Sequence, residues 1–287
     1  MDDIRDRIDP LIAERAPWAF RDNALVRPVR TFFEWLLRYD ECIGVARDIE
    51  QMHSKDMVRH LAGIIAKNVT HRGLSHVPAS GPALIVANHP TGIADGVILQ
   101  HVMRDIRDDA YVFANADIVR VLPNFETMIA PVEWREEKRS RAKTRETMIY
   151  TRQAVEEGRL GIIFPSGRLS KRVGLRLKER PWMSSAAMIA RKFDLPIIPV
   201  NIRARNSSLF YLFDVLHPTL RDITLFYETI NKDLHPFHFE FGEPISAASL
   251  PKNSEDGIAL LKREVLALGR PDYTLVHRKM RPASALF

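Results

Sequence analysis

Residues 84–96 read LIVANHPTGIADG, an apolar run of strand length that leads directly into His89 and Pro90. Proline restricts the preceding residue to extended conformations, so His89 is predicted to end a buried strand. Thr91 is expected to cap a helix that begins at Gly92, and Asp95 would then lie in its first turn. The stretch therefore predicts a strand, a tight turn and a helix.

His89 and Asp95 are separated by five residues. On a continuous helix, side chains six positions apart point about 240° apart and cannot meet. The break at Pro90 removes this obstacle, so we expect Asp95 to accept a hydrogen bond from one ring nitrogen of His89. The other nitrogen would face a site as a general base. The alternative interpretation is a loop histidine beside an aspartate that only caps the helix.

The pattern from residue 77 onward alternates short apolar strands with helices. The runs near 84, 162 and 198 are apolar throughout, which is typical of strands covered on both faces. Residues 71–287 are therefore predicted to form an α/β domain with a largely parallel mixed sheet flanked by helices. Strands are predicted at 83–88, 110–115, 130–134, 160–165, 195–203, 224–228 and 237–242, and helices at 94–104, 137–157, 181–193 and 255–269.

Residues 1–70 are predicted to form an N-terminal amphipathic helical segment, arranged as a hairpin. Apolar residues recur every three or four positions between Val29 and Ala46, flanked by arginines, and a second helical pattern starts at Ser54. One interpretation is a hairpin packed on the core. The other is an element that lies in a membrane interface, and periodicity alone does not separate the two.

Composition limits the class of protein. The chain has 287 residues, of which 46% are hydrophobic and 27% charged, which argues against disorder. One cysteine, Cys42, excludes an internal disulfide and a cysteine-rich zinc site. The N-terminus MDDIRDRIDP does not resemble a signal peptide, and no apolar run is long enough to span a membrane. We therefore expect a cytoplasmic protein.

The charge is concentrated in one part of the chain. The net charge is +6 with a pI of about 9.5, while residues 135–180 hold 14 Lys and Arg against 6 Glu, a net of +8. Such a segment suits nucleic acid, anionic lipid or an acidic protein, or is a solvated helix face. Nucleic acid is not the expected partner, because no basic fold motif is present. His235 and His238 are the nearest pair of metal ligands, and we expect them to be structural, with no metal bound.

A second group of polar residues follows the strand at 160–165, in the stretch IIFPSGRLSKR (162–172). Gly167 permits a positive φ, and Arg168, Lys171 and Arg172 place three cations within five residues. Guanidinium groups bind phosphate or carboxylate bidentately, so this strand end is a candidate anion site. Arg135, after the short strand PVEW, could reach the same crevice.

The segments NHPTGIAD, PVEWR, FPSGR and LPIIPV, in this order, resemble the blocks of the glycerolipid acyltransferase superfamily of the lysophosphatidic acid type. The resemblance covers roughly residues 70–245. It implies that His89 is the catalytic base and that Asp95 orients it. It also implies substrate contacts at Asn88, Thr91, Arg135, Pro165, Ser166, Gly167 and Arg168, with Lys171 and Arg172 as further contacts for an anion or a carrier.

Two departures from the superfamily pattern are present. Five residues rather than four separate His89 from Asp95, and Ser166 stands where the family has glutamate. Both departures, and the stretches NSSLFYLF and FEFGEPI, resemble a bacterial branch described as hemolysin-like. The acceptor therefore stays open between lysophosphatidic acid and an amino-acid lysolipid such as lyso-ornithine lipid.

The resemblance implies transfer of a fatty acyl group from acyl-CoA or acyl carrier protein to a lysolipid hydroxyl, with no permanently bound cofactor. Backbone N–H groups near Gly167 are expected to hold the oxyanion. The basic segment suits the anionic inner face of the cell membrane, with peripheral association, or the acidic carrier protein. Two alternatives keep the same fold: a scaffold that binds lipid or carrier without catalysis, and a hydrolase that uses water as the acceptor.

Overall fold

The computed structural model describes residues 3–21, 23–24, 26–133, 140–174 and 176–269. The strands are β1 (Val69–Arg72), β2 (Ala83–Ala87), β3 (Tyr111–Asn115), β4 (Ile129–Val132), β5 (Leu160–Ile163), β6 (Lys171–Val173), β7 (Arg176–Lys178), β8 (Ile197–Arg203) and β9 (Phe237–Phe241). The helices are α1 (Ile4–Arg15), α2 (Val26–Leu36), α3 (Tyr39–Ile49), α4 (Ser54–Ile65), α5 (Ile93–Met103), α6 (Asp117–Val121), α7 (Arg141–Glu156), α8 (Ser185–Lys192), α9 (Ser208–Leu216), α10 (Pro218–Ile223), α11 (Tyr227–Ile230) and α12 (Ser254–Ala267).

Seven strands form one mixed sheet in the order β1-β9-β8-β2-β5-β3-β4. All neighbouring pairs are parallel except β8 and β9, which are antiparallel. Strands β6 and β7 form a separate antiparallel hairpin. The predicted fold class, a largely parallel mixed sheet flanked by helices, is confirmed.

The three predicted fully buried strands lie side by side at the centre of the sheet. β2 pairs with β5 on one side and with β8 on the other, and every residue of β2 and β5 is buried. Their uninterrupted apolar sequences are explained by this position, because both faces of a central strand are covered. The carboxyl ends of parallel strands meet at one edge, so the residues that follow β2 and β5 lie close together.

In its described residues, the N-terminal segment contains four α-helices rather than the predicted hairpin. The apolar pattern between Val29 and Ala46 is divided at Arg38, whose φ of 50° is left-handed and ends α2 before α3 begins. Helices α1, α3 and α4 contribute residues such as Ile4, Ile43 and Ile65 to the same hydrophobic core as the sheet. Helix α2 has no buried residue. The packing of α1, α3 and α4 agrees with the interpretation of helices packed on the core, whereas a membrane-interface role for this segment stays a prediction.

The strand predicted at 224–228 is wrong. This stretch is a turn followed by α11, and the hydroxyl of Thr224 donates a hydrogen bond to the carbonyl of Arg221 at the end of α10. Glu228 lies on α11 because it pairs there with Lys232, one helical turn further on. The Glu228 carboxylate also accepts a hydrogen bond from the Ser207 N–H at 3.0 Å, so local and tertiary contacts together override the β propensity of this stretch.

Among the described residues, no helix is long and apolar enough to cross a membrane.

Candidate active site

His89 and Asp95 meet as the sequence predicts. His89 follows β2 in an extended loop, Asp95 lies in the first turn of α5, and Nδ1 of His89 is 2.9 Å from Oδ2 of Asp95. The Asp95 side chain is fully buried, whereas 19% of the His89 side chain is exposed. The ring therefore turns Nδ1 toward the protein and leaves Nε2 as the nitrogen available to a ligand.

Asp95 is held by the turn that precedes α5. Its Oδ2 accepts hydrogen bonds from the backbone N–H groups of Thr91 (2.9 Å) and Gly92 (3.1 Å), and its Oδ1 accepts one from the Thr91 hydroxyl (2.5 Å). The helix begins at Ile93, with Gly92 as its N-cap. The predicted cap by Thr91 is therefore reversed, because the Thr91 hydroxyl donates to Asp95 instead of accepting from the helix. These three hydrogen bonds fix the position of the Asp95 carboxylate beside His89.

The contact between His89 and Asp95 is close but poorly aligned. Nδ1 makes no hydrogen bond to any described residue despite its 2.9 Å distance from Oδ2, so the two groups expected from the sequence are in contact but the expected hydrogen bond is not formed. Catalytic hydrogen bonds are often misaligned without substrate and tighten when substrate binds. The geometry fits a pair that a ligand brings into line.

The strap, defined as residues 164–170 between β5 and β6, fixes the other side of His89. The Phe164 ring stacks on the imidazole with centroids 4.2 Å apart and planes inclined by 21°. The Ser170 backbone N–H donates to the His89 carbonyl at 2.9 Å. The two blocks that the sequence singled out are therefore in direct contact, and the strap holds the imidazole in one orientation.

The residues of the FPSGR block differ in whether they line the cavity next to His89. Pro165, Gly167 and Arg168 line the cavity described below, whereas Ser166 does not. The Ser166 hydroxyl donates to the Arg168 carbonyl at 2.7 Å. The Gly167 N–H donates to the Phe164 carbonyl at 2.9 Å, so this group is not available for the oxyanion expected from the sequence.

Asn88 joins two strands. Its Nδ2 donates to the Ile202 carbonyl at 2.9 Å, and its Oδ1 accepts from the Ile202 N–H at 2.7 Å. The nitrogen and the oxygen of the side-chain amide therefore both make hydrogen bonds within the protein. Asn88 does not line the cavity. Its observed contacts anchor the end of β2 to β8 and thereby position His89, whereas the sequence suggested a contact with substrate.

His89 opens onto a cavity of about 1500 Å³. One part passes between the sheet and the N-terminal helices and is lined by apolar side chains, among them Leu11, Val45, Ile49, Val97, Val121 and Phe125. The other part is charged, with Arg168, Lys171, Arg172, Arg180, Asp214, Arg221 and Asp222 in its wall. An amphiphile with an acyl chain and an anionic group matches this division.

Arg180 and Arg221 are cavity residues that the sequence did not single out. Burial lowers the pKa of Arg180, and the positive charges of Arg221 and Arg168 lower it further. Arg221 is paired with Asp214 and Asp222. Neither arginine belongs to a recognisable block, because the turn through β6 and β7 and the fold of α10 bring them to the site.

Arg135, a predicted contact, lies outside the described residues.

No metal site is evident in the part of the chain that the structure describes, where no group of three His, Cys, Asp or Glu could hold an ion. His238 lies on β9, where its ring nitrogens contact the Thr70 hydroxyl at 2.8 Å and the Glu240 carboxylate at 3.0 Å. The ring of His238 is therefore engaged by side chains of the protein itself.

Known proteins are similar in sequence to the part of the chain that builds the site. The sequence model of the family described as Acyltransferase matches residues 68–203, which include both blocks of the site. The chain is 21% identical over 185 residues to a lyso-glycine lipid O-acyltransferase from Phocaeicola vulgatus, covering 64% of each chain. It is also 21% identical over 252 residues to a lyso-glycine lipid O-acyltransferase from Bacteroides thetaiotaomicron, covering 86% of this chain and 90% of that protein.

Among solved structures, the crystal structure of the 1-acyl-sn-glycerophosphate acyltransferase PlsC from Thermotoga maritima is similar with a TM-score of 0.44 and 15% identity. The alignment covers 92% of this chain and 97% of that one. The matched family region contains His89, Asp95 and the strap, which are the elements that build the site. The family model and both curated relatives therefore support the resemblance of this chain to the glycerolipid acyltransferase superfamily.

Proposed function

We propose that the chain transfers a fatty acyl group from a thioester donor to the hydroxyl of a lysolipid, with His89 as the general base. The observation that carries the proposal is the 2.9 Å contact between His89 Nδ1 and the buried Asp95 carboxylate, at the wall of a partly apolar cavity. The names of the two curated relatives support a lysolipid acceptor.

The proposed reaction assigns one step to each group. Nε2 of His89 takes the proton of the acceptor hydroxyl while the oxygen of that hydroxyl attacks the carbonyl carbon of the thioester. The imidazolium that forms is stabilised by the Asp95 carboxylate behind Nδ1. The tetrahedral intermediate then collapses, the bond from carbon to sulfur breaks, and the proton on Nε2 passes to the departing thiolate. An ester and a free thiol are the products.

The acceptor we favour is an amino-acid lysolipid, because both curated relatives are named for lyso-glycine lipid. Lysophosphatidic acid is the second candidate, since the cations of the cavity suit phosphate equally well. Free thiol release with acyl-CoA or acyl carrier protein, measured with each lysolipid, tests both the donor and the acceptor. Release without any acceptor would indicate a hydrolase, and no release with any pair would favour a scaffold.

We further propose that the protein associates peripherally with an anionic membrane. Helix α2 exposes Val29, Phe32 and Trp35, and Trp35 keeps 73% of its surface exposed. Helix α9 exposes Leu212, Val215 and Leu216, and the two helices touch through Phe33 and Phe213, whose rings are 5.9 Å apart. An apolar surface of this kind, on a chain of net charge +6, suits an anionic lipid interface.

Sedimentation with liposomes tests membrane association. Binding should weaken with salt, with loss of anionic lipid, and with Trp35→Ser. The control is Leu234→Ser, because Leu234 is an exposed apolar residue outside α2 and α9. Liposome binding that does not change with salt, with lipid charge or with the Trp35→Ser substitution would contradict this part of the proposal.

A further inference from the structure

Arg180 has an unusual environment in the charged part of the cavity. It is half-buried, and its Nε donates to the Leu169 carbonyl at 2.8 Å. Its two terminal nitrogens make no hydrogen bond to any residue that the structure describes. A guanidinium held in place through Nε, with both terminal nitrogens open, is prepared to bind an anion bidentately.

The charges around Arg180 also favour an anion. Five cations and two carboxylates line this part of the cavity, namely Arg168, Lys171, Arg172, Arg180 and Arg221 against Asp214 and Asp222. Arg221 is close enough to Arg180 to lower its pKa, and so is Arg168. Like charges gathered in a partly buried place repel one another, and an anion bound between them would relieve that repulsion.

Arg180 is connected to His89 through residues of the strap. Leu169, whose carbonyl holds Arg180, is adjacent to Ser170, whose N–H donates to the His89 carbonyl. The Leu169 side chain also lies over Gly92, in the turn that holds Asp95. A group bound at Arg180 would therefore lie beside the strap that also contacts His89.

We propose that Arg180, together with Arg168 and Arg221, binds the anionic headgroup of the acceptor and so selects charged over neutral lysolipids. This inference rests on the proposed function for the identity of the ligand. It goes beyond the FPSGR block, because Arg180 and Arg221 lie outside it. A carboxylate and a phosphate share the required chemistry, and the experiment separates them.

The test compares Arg180→Gln and Arg180→Lys with the wild-type chain. The acceptors are an amino-acid lysolipid with a carboxylate, lysophosphatidic acid and neutral monoacylglycerol. Arg180→Gln should raise the acceptor KM for anionic lysolipids about 10- to 100-fold, as expected for loss of charged hydrogen bonds. KM for monoacylglycerol and for the donor should not change. Arg180→Lys should recover only part of the loss, and the lysolipid with the larger change identifies the preferred anion.

The matched control is Arg176→Gln. Arg176 lies on β7 of the same hairpin but is exposed and does not line the cavity, so its loss should leave every KM unchanged. An equal effect of Arg180→Gln on charged and neutral acceptors, or an effect on the donor alone, would overturn the proposal. Thermal melts confirm that each variant is folded.

Calorimetric binding of the same lysolipids without donor separates this proposal from the proposed reaction. Wild-type protein should bind the anionic lysolipids more tightly than monoacylglycerol, and Arg180→Gln should lose that difference even if no transfer is found. Equal binding of anionic and neutral lysolipids by the wild-type chain would refute the headgroup site by itself.

Discussion

Replacing Gly92 by alanine tests whether the turn before α5 creates the active geometry. Gly92 has φ 102° and ψ −137°, a region of backbone conformation that is almost restricted to glycine. A side chain there carries a strain of about 1–3 kcal/mol. The new Cβ would also lie 3.3 Å from Cδ2 of Leu169, a contact that a small movement of that side chain can accommodate. Backbone strain is therefore the larger effect.

The turn relieves this strain by moving, and the N–H groups of Thr91 and Gly92 that hold Asp95 would move with it. A misplacement of about 1 Å at a catalytic group can reduce the rate about 100-fold. We expect Gly92→Ala to lower kcat by about that factor and to lower the free energy of unfolding by about 1–3 kcal/mol. Acyl transfer kinetics and chemical denaturation measure the two effects.

Gly81→Ala is the matched control. Gly81 also has a positive φ, 81°, but a Cβ there would meet no atom within 4 Å, and Gly81 does not line the cavity. This variant should lose stability yet keep the wild-type kcat. If Gly92→Ala keeps both wild-type kcat and wild-type stability, the account of the turn is refuted.

Two further predictions concern buried ionisable groups. Lys232→Ala leaves the buried Glu228 carboxylate without its ion-pair partner, so the free energy of unfolding should fall by about 3–5 kcal/mol. The double variant Lys232→Met with Glu228→Leu should recover most of the lost free energy of unfolding, as measured by denaturant titration. A double variant that is no more stable than Lys232→Ala would contradict the pairing. Burial raises the pKa of Cys42 to about 12, so a thiol reagent at pH 8 should modify the native protein far more slowly than the unfolded chain. The thiol of the unfolded chain ionises near its ordinary pKa of 9.0, whereas the thiol of the folded protein stays protonated until about 12. The contribution of Cys42 to the free energy of unfolding should therefore decline as the pH rises from about 9 to about 12. Equal labelling rates in native and unfolded protein would refute the burial of Cys42.

The sequence predicted the contact between His89 and Asp95 because its geometry is local. Strand β2 ends at Ala87, just before His89 and Pro90, and the turn that follows returns Asp95 to the ring within six positions of His89. Residue type alone did not reveal the role of Asn88, whose amide is used to join β2 to β8. That pairing connects segments 114 residues apart, which no local pattern encodes.

The same reason explains the contacts that the sequence did not predict. Arg180 and Arg221 reach the cavity through the hairpin of β6 and β7 and through α10, so their proximity to Arg168 depends on tertiary structure. The break at Arg38 depends on packing as well, since the apolar pattern on either side of it fits one continuous helix. Buried strands, in contrast, are apparent in the sequence because each is apolar throughout.

The most direct test of the central claim is the rate of acyl transfer by His89→Ala and Asp95→Asn, each shown to be folded by its thermal melt. General base catalysis typically contributes about 10²–10⁴-fold, so His89→Ala should lose activity by that factor. Asp95→Asn should also lose activity, because the amide cannot stabilise the imidazolium, while binding of the lysolipid remains. Wild-type turnover in folded His89→Ala protein would contradict the assignment of His89 as the base.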